Sequence, residues 1–258
     1  MKIAICYHGM TRSTRFVYQS HIDNIFNVII ENNSTYDVYL HTWRANYNHV
    51  WNKNYSIPND YTEHLFLNPK EYQIDDQDEF ISSLNKNDYY HSNTKEEWLP
   101  YLILNYLCAL ESQKRCFTMC INSNVKYDYV IFVRPDVLIN DKLPYNDIFS
   151  KNVSPLPSPS PSPSPSPLPS PSPLPSPLPS IFIPNNNWFQ GYNDRFAITS
   201  FDIAHYYAFR IDEIKYYRKN IDYIVAEKYL KYIVDKYYQV IPIEFKFILI
   251  RPDNTQNN

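Results

Sequence analysis

Three polar clusters stand where apolar runs of this sequence stop, and their residue types suit anion binding and proton transfer. Arg134-Pro135-Asp136 follows the apolar run Tyr129–Val133. An aspartate at a strand end can ligate a divalent metal (Mn or Mg), and such a metal can bridge a diphosphate. The same aspartate can instead pair with Arg134 or cap the following turn. Gly9-Met10-Thr11-Arg12-Ser13 follows Lys2–Tyr7, and amides in such a turn could face a phosphate or a ribose. It carries neither G-x-G-x-x-G nor a Walker pattern, so a plain connecting turn is the alternative. His41-Thr42-Trp43 ends a third run, Tyr36–Leu40.

Two further carboxylates lie outside these clusters. Gly191-Tyr192-Asn193-Asp194-Arg195 offers an amide, a carboxylate and a guanidinium in consecutive residues. Such a loop suits polyhydroxyl groups, or holds an acid near a reacting bond; a turn closed by an Asx hydrogen bond is the plainer reading. Glu227 sits four residues before Lys231, which makes an exposed helical ion pair its plain reading. The chain has only two glycines, Gly9 and Gly191, each beside one of these polar stretches. Glycine permits positive φ and close backbone approach, so both positions are expected to face a ligand or to close a tight turn.

The elements that must hold these residues alternate. Lys2–Tyr7, Tyr36–Leu40 and Tyr129–Val133 read as strands, the last buried on both faces. Phe16–Ile30 carries a helical apolar stripe, and Glu96–Cys120 reads as a long helix with Pro100 in its first turn. Residues 44–95 are polar and irregular, with a short strand expected at His64–Leu67. The acidic run Asp75–Glu79 reads as a solvated loop. Ile181–Ile183 and Arg195–Thr199 read as strands. Ser200 is placed to cap a helix striped by Ile203, Tyr207, Ile211 and Ile214, and Ile221–Tyr238 forms another. Gln239–Ile250 closes the chain as β structure, with Pro242 confining its start to an edge or bulge. Strand–helix alternation predicts an α/β fold with a mostly parallel central sheet flanked by helices. Ligands in such sheets bind outside the carboxyl ends of the strands.

From Ser154 to Ser180 proline alternates with serine or leucine. That pattern excludes helix and sheet interior and predicts polyproline II or a disordered loop inserted into one domain spanning 1–258. The alternation never places prolines three apart, so the PxxP spacing of SH3 ligands is absent. A hydrophobic content of 44% gives the rest enough apolar surface for a core. A net charge of −3 argues against nucleic acid. No apolar run is long enough for a transmembrane helix, the N-terminus lacks a signal-peptide pattern, and no CxxC pair suggests zinc. A soluble, cytoplasmic protein is expected.

Taken in order, several of these pieces resemble a glycosyltransferase-like family of the GT-A kind, found in large DNA viruses and bacterial surface-polysaccharide clusters. They are Lys2–Gly9 with Thr11-Arg12, Tyr36–Trp43, Tyr127–Asp136, Gly191–Ile198, Glu227 with Leu230, and a final strand ending at Arg251. The resemblance implies a Rossmann-like GT-A fold, a nucleotide-sugar donor and a glycan or other hydroxyl acceptor. It implies Gly9, Thr11 and Arg12 near the nucleotide, and Asp136 where a metal-binding carboxylate usually stands. The usual Asp-x-Asp is replaced here by Arg134-Pro135-Asp136, which opens the alternative that Arg134 neutralises the diphosphate. Asp194 and Glu227 are the implied acid–base candidates on the acceptor side, together with Gly191, Tyr192, Asn193 and Arg195. Asp194 is preferred as the base because glycine and asparagine flank it. A transferase-like binding module without turnover is the second reading, motivated by the missing carboxylate.

Overall fold

The computed structural model describes residues 1–45, 60–90, 98–149, 178–186, 188–252 and 256–257. The proline tract from 154 to 177 lies outside them; its last residue, Ser180, opens a strand.

The buried run Lys2–His8 forms β1. Helix α1 (Thr14–His21) passes through a π-helical turn (Ile22–Phe26) into α2 (Asn27–Glu31), along the stripe expected of one helix. Strand β2 (Thr35–Arg44) is followed by a 3-10 turn at Glu63–Leu67, where a strand was expected. Next come β3 (Glu71–Asp76) and α3 (Gln77–Ser83). The acidic run is therefore not a solvated loop: Asp76 caps α3, accepting from the Asp78 and Glu79 amides at 2.8 and 3.1 Å. The long helix α4 (Pro100–Asn122) starts with proline in its first turn, where no intrahelical N–H is lost. Strand β4 (Tyr129–Val133), the short β5 (Val137–Ile139) and α5 (Tyr145–Phe149) follow.

After the tract come β6 (Ser180–Pro184) and β7 (Phe196–Ser200). The single helix expected from Ser200 is broken into α6 (Ala204–Ala208), a 3-10 turn (Arg210–Glu213) and α7 (Ile214–Asn220). Helix α8 (Ala226–Tyr237) starts five residues later than its pattern suggests, which places Glu227 in the first turn. Strands β8 (Gln239–Ile243), β9 (Phe247–Ile250) and β10 (Gln256–Asn257) end the chain.

Seven strands form one sheet in the order β3-β2-β1-β4-β7-β6-β8. The first four are mutually parallel, β7 runs antiparallel to both neighbours, and β6 and β8 are parallel. The fold is thus mixed α/β with a mostly parallel central sheet. Pro242 lies on β8, at the sheet's edge, as its missing donor requires. Alternate residues of β1 serve opposite faces: Ile3, Ile5 and Tyr7 join the core with Ile25, Phe26 and Ile29, while Ala4 and Cys6 join Cys116, Phe117 and Leu230. A small second sheet, β10-β9-β5, adjoins the first of these cores. No helix among the described residues is long and apolar enough to cross a membrane.

Candidate functional site

Three strands deliver charged groups to one edge of the sheet. Strands β1 and β4 end there, at His8 and Val133. Because β7 is antiparallel, it begins there: Phe196 pairs with Val133, and the Arg134 amide donates to the Arg195 carbonyl at 3.2 Å. Arg134 and Asp194-Arg195 are therefore neighbours, although the whole proline tract lies between them in sequence. Strand β9 adds Arg251, since the Ile250 amide donates to the Asp136 carbonyl at 3.0 Å. Side chains tie the Arg12 segment to the same place: Ser13 Oγ donates to the Ile250 carbonyl at 2.8 Å and Thr14 Oγ1 to the Pro135 carbonyl at 3.3 Å.

Asp136 is fully buried beneath these groups. Its Oδ1 accepts from Arg134 Nε at 2.8 Å and its Oδ2 from Arg134 Nη2 at 2.6 Å, a bidentate pair, with Arg12 Nη2 at 3.4 Å. Burial alone would raise the carboxyl, but Arg134, then Arg12 and Arg251, bring it down to about 2. The residues present do not fit a divalent metal at Asp136. Both oxygens are held by guanidinium groups, and the surrounding charge is cationic. Among the described residues, no group of three or more His, Cys, Asp or Glu side chains is placed to hold a metal. Nearby His8 is also buried; burial and the Arg210 and Arg134 charges lower it to about 3, so it stays neutral at physiological pH.

The other carboxylates occupy a cavity of about 460 Å³ at this edge. Gly9, Arg12, Arg134, Arg195 and Arg251 line it, together with Asp194 and Glu227. Burial raises the Glu227 carboxyl above its ordinary value, and the Asp194 charge raises it further. Burial lowers the Arg195 guanidinium, which Asp194 only partly restores. The expected Glu227–Lys231 pair does not form: Lys231 bonds Asp235 at 2.5 Å and lies 3.4 Å from the Tyr192 hydroxyl.

Other expected site residues support the cavity without lining it. Thr11 turns to Thr42, its amide donating to Thr42 Oγ1 at 3.3 Å. Tyr192 donates to Asp235 Oδ1 at 2.6 Å. Asn193 closes an Asx turn: its Oδ1 accepts from the Arg195 amide at 2.9 Å, while its Nδ2 donates to Asn186. The two glycines act differently. Gly9 has a φ of +100° and open space where a Cβ would stand, and its amide donates to Ser112 Oγ at 2.8 Å. Gly191 closely approaches the protein backbone at Glu227.

Ser112 in turn belongs to a buried chain that fixes the glycine turn. His41 Nδ1 lies 2.8 Å from Ser112 Oγ, and His41 Nε2 lies 3.0 Å from Asp75 Oδ2. A carboxylate only accepts, so Nε2 carries the proton, and the single Ser112 hydroxyl proton is shared between His41 Nδ1 and the His41 carbonyl at 3.0 Å. Burial lowers His41 to about 4, which keeps the ring neutral. The sequence did not signal this chain, nor the contribution of α4, whose Tyr101, Asn105, Tyr106 and Ala109 line the cavity beside Trp98. Their spacing reads as an ordinary core stripe.

Fold and site together define an α/β protein with an arginine-rich, carboxylate-bearing cleft at the carboxyl ends of its parallel strands. No family model and no curated protein matches the chain. Among solved structures, it is similar to the apo form of the glycosyltransferase GlyE from Streptococcus pneumoniae TIGR4, at 9% identity and a TM-score of 0.36. The match covers 93% of this chain and 44% of that one, so the chain spans less than half the length of the protein it matches. A likeness of that depth assigns neither a reaction nor a substrate.

Proposed function

We propose that the protein is a glycosyltransferase that moves a sugar from a nucleotide-diphosphate donor to a hydroxyl acceptor. The observation that carries this reading is the meeting of four guanidinium groups with two carboxylates in one cleft, at Arg12, Arg134, Arg195, Arg251, Asp194 and Glu227. Guanidinium groups bind phosphate oxygens through charge-assisted, often bidentate hydrogen bonds. Held in place before reaction, they also stabilise the charge that develops on a departing diphosphate. Asp136 acts as a positioning residue: it orients Arg134 and Arg12 and keeps the cluster from excessive self-repulsion. Met10, Trp43 and Cys108, which pack together and line the cavity with Gly9, have the apolar character that suits the nucleoside.

In the transfer, the bond from the anomeric carbon to the diphosphate oxygen breaks, and a bond from that carbon to the acceptor oxygen forms. The acceptor proton passes to a carboxylate, and the nucleoside diphosphate leaves with the bonding electron pair. We assign the base role to Glu227, because burial and Asp194 both raise its proton affinity. The sequence-based preference for Asp194 rested on its glycine and asparagine neighbours. Those two residues hold the loop and leave the cavity to Asp194, Arg195 and Glu227.

The deciding experiment is a thermal-shift panel of UDP-, GDP- and CMP-sugars with excess EDTA, followed by turnover of any binder. A ligand at 100 times its dissociation constant adds about 2.7 kcal/mol to native stability. Stabilisation by UDP- or GDP-sugars with release of the nucleoside diphosphate supports the transferase, whereas a response confined to CMP-sugars, which release CMP, removes the diphosphate donor. Binding without turnover favours the second reading, a nucleotide-binding module, which the locked Asp136 also motivates. A folded sample that responds to no nucleotide refutes both.

A further inference from the structure

The transfer needs the arginines, the carboxylates and the apolar lining beside Gly9, yet the cavity extends beyond them. Helix α4 gives its order. Ser112 holds Gly9 at one end. Six residues earlier, about 9 Å along the axis, Tyr106 donates its hydroxyl to the Ala226 carbonyl at 3.3 Å, beside Glu227. Five residues earlier again, about 7.5 Å further, Tyr101 lines the same cavity, with Trp98 preceding the helix. Trp98 meets Tyr106 edge to face at 6.0 Å. The succession is glycine turn, carboxylate, aromatic wall.

Within that last section the lining side chains of α4 and its lead-in are Trp98, Tyr101, Leu102, Asn105 and Tyr106, none of them charged. Tyr101 is 38% exposed and Trp98 is half-buried, so both rings retain accessible surface. An aromatic surface with one amide and a nearby carboxylate matches a pyranose, which has an apolar C–H face and a rim of hydroxyls. Among the described residues that line this section none is a cation, and an anionic acceptor would meet Asp194 and Glu227. A nucleobase could also stack on the rings, and loss of the nucleotide response on removing them separates that occupant from a sugar.

Resting on the transferase reading, we propose that Trp98, Tyr101 and Asn105 form the acceptor subsite, and that the acceptor is an uncharged pyranose of a glycan. The sugar stacks on the two rings, with Asn105 bonding its rim and the reacting hydroxyl directed to Glu227.

The test is saturation-transfer NMR on the full chain with the methyl pyranosides of glucose, galactose, mannose and N-acetylglucosamine, alone and with UDP or GDP. At least one should receive saturation at its ring C–H protons. Trp98→Ala and Tyr101→Ala should each reduce that signal at least fivefold and leave the nucleotide thermal shift unchanged. Absence of transfer to all four glycosides, or a signal that survives both substitutions, overturns the subsite. Loss of the nucleotide shift in a folded Trp98→Ala variant also overturns it, by placing the base on this wall. Glycoside binding that depends on Trp98 and Tyr101 in a protein that binds no nucleotide retains the saccharide site and removes the transferase.

Discussion

The α-carbon of Gly191 packs so closely on the backbone of Glu227 that a Cβ there would lie 1.9 Å from the Glu227 carbonyl oxygen and 2.1 Å from its carbon. The Tyr192 amide donates to that same carbonyl at 3.3 Å. The loop bearing Asp194 is thus docked on the first turn of α8, and glycine is what permits the approach. Gly191→Ala must displace backbone from backbone. It should cost about 1–3 kcal/mol in urea unfolding, the usual range for overpacking. Transfer should fall at least tenfold while nucleotide-induced thermal shift persists. Wild-type stability together with wild-type turnover would contradict the docking role.

The Asp194–Glu227 pair makes a pH prediction whose sign differs between the two base assignments. Burial and the Asp194 charge raise Glu227, so an active base is lost as pH falls through a pKa above the ordinary glutamate value. Asp194→Asn removes one raising cause. The acid limb of kcat against pH should then move to lower pH, with activity retained. Glu227→Gln should lower kcat at least a hundredfold, within the range typical of a lost general base. If Asp194→Asn instead abolishes turnover and Glu227→Gln does not, the base is Asp194.

Asp136 carries a separate pH signature, in stability. Its carboxyl is held near 2 in the folded protein, against an ordinary value of 3.8. A depressed carboxylate stabilises the fold above its unfolded pKa, and the contribution is lost as pH falls through the folded one. The shift corresponds to about 2 kcal/mol. Wild-type unfolding free energy should lose that amount between about pH 4 and pH 2 in excess of the loss shown by Asp136→Asn. Equal slopes in the two proteins would mean that the buried ion pair does not hold the carboxylate as described.

How much of this arrangement the sequence carried depends on how local its cause was. The apolar runs of β1 and β4 are covered on both faces, so nearly every residue reports burial. Helix α4 opens at Pro100 and not at the Glu96 start its pattern suggested, because proline is tolerated only in the first turn. The sheet edge was less legible. Glu71, Gln73 and Asp75 lie on β3 at the sheet's rim, where polar side chains are admissible, so the strand looked like a loop. Asp75 serves His41 and Arg115, partners that only folding reveals. The stripe through Tyr207 and Ile214 correctly marked buried positions, but stripe alone did not show that the chain breaks near Phe209. The neighbours Arg134 and Arg195 follow from an antiparallel register across the tract, which neither segment announces. Aromatic spacing in 98–106 is the same for a core face and a cavity wall, so the proposed acceptor surface had no signature of its own.

Structural and binding roles in the arginine cluster are separable at Arg134. Arg134 is the main partner of fully buried Asp136, so Arg134→Leu alone strands a buried carboxylate and should cost about 3–5 kcal/mol. Adding Asp136→Asn removes the stranded charge and should recover much of that loss. It does not restore the guanidinium. The double variant should therefore fold with stability approaching wild type and still bind nucleotide diphosphates at least tenfold more weakly, with the difference shrinking as salt screens the remaining arginines. Nucleotide affinity should be unchanged by EDTA throughout if, as proposed, guanidinium groups are the cations that meet the diphosphate. Affinity that collapses in EDTA and returns with Mn²⁺ would place a metal in the cleft and demote the guanidinium groups. Wild-type affinity in the double variant would instead assign Arg134 to holding Asp136 alone, leaving Arg12, Arg195 and Arg251 as the anion site.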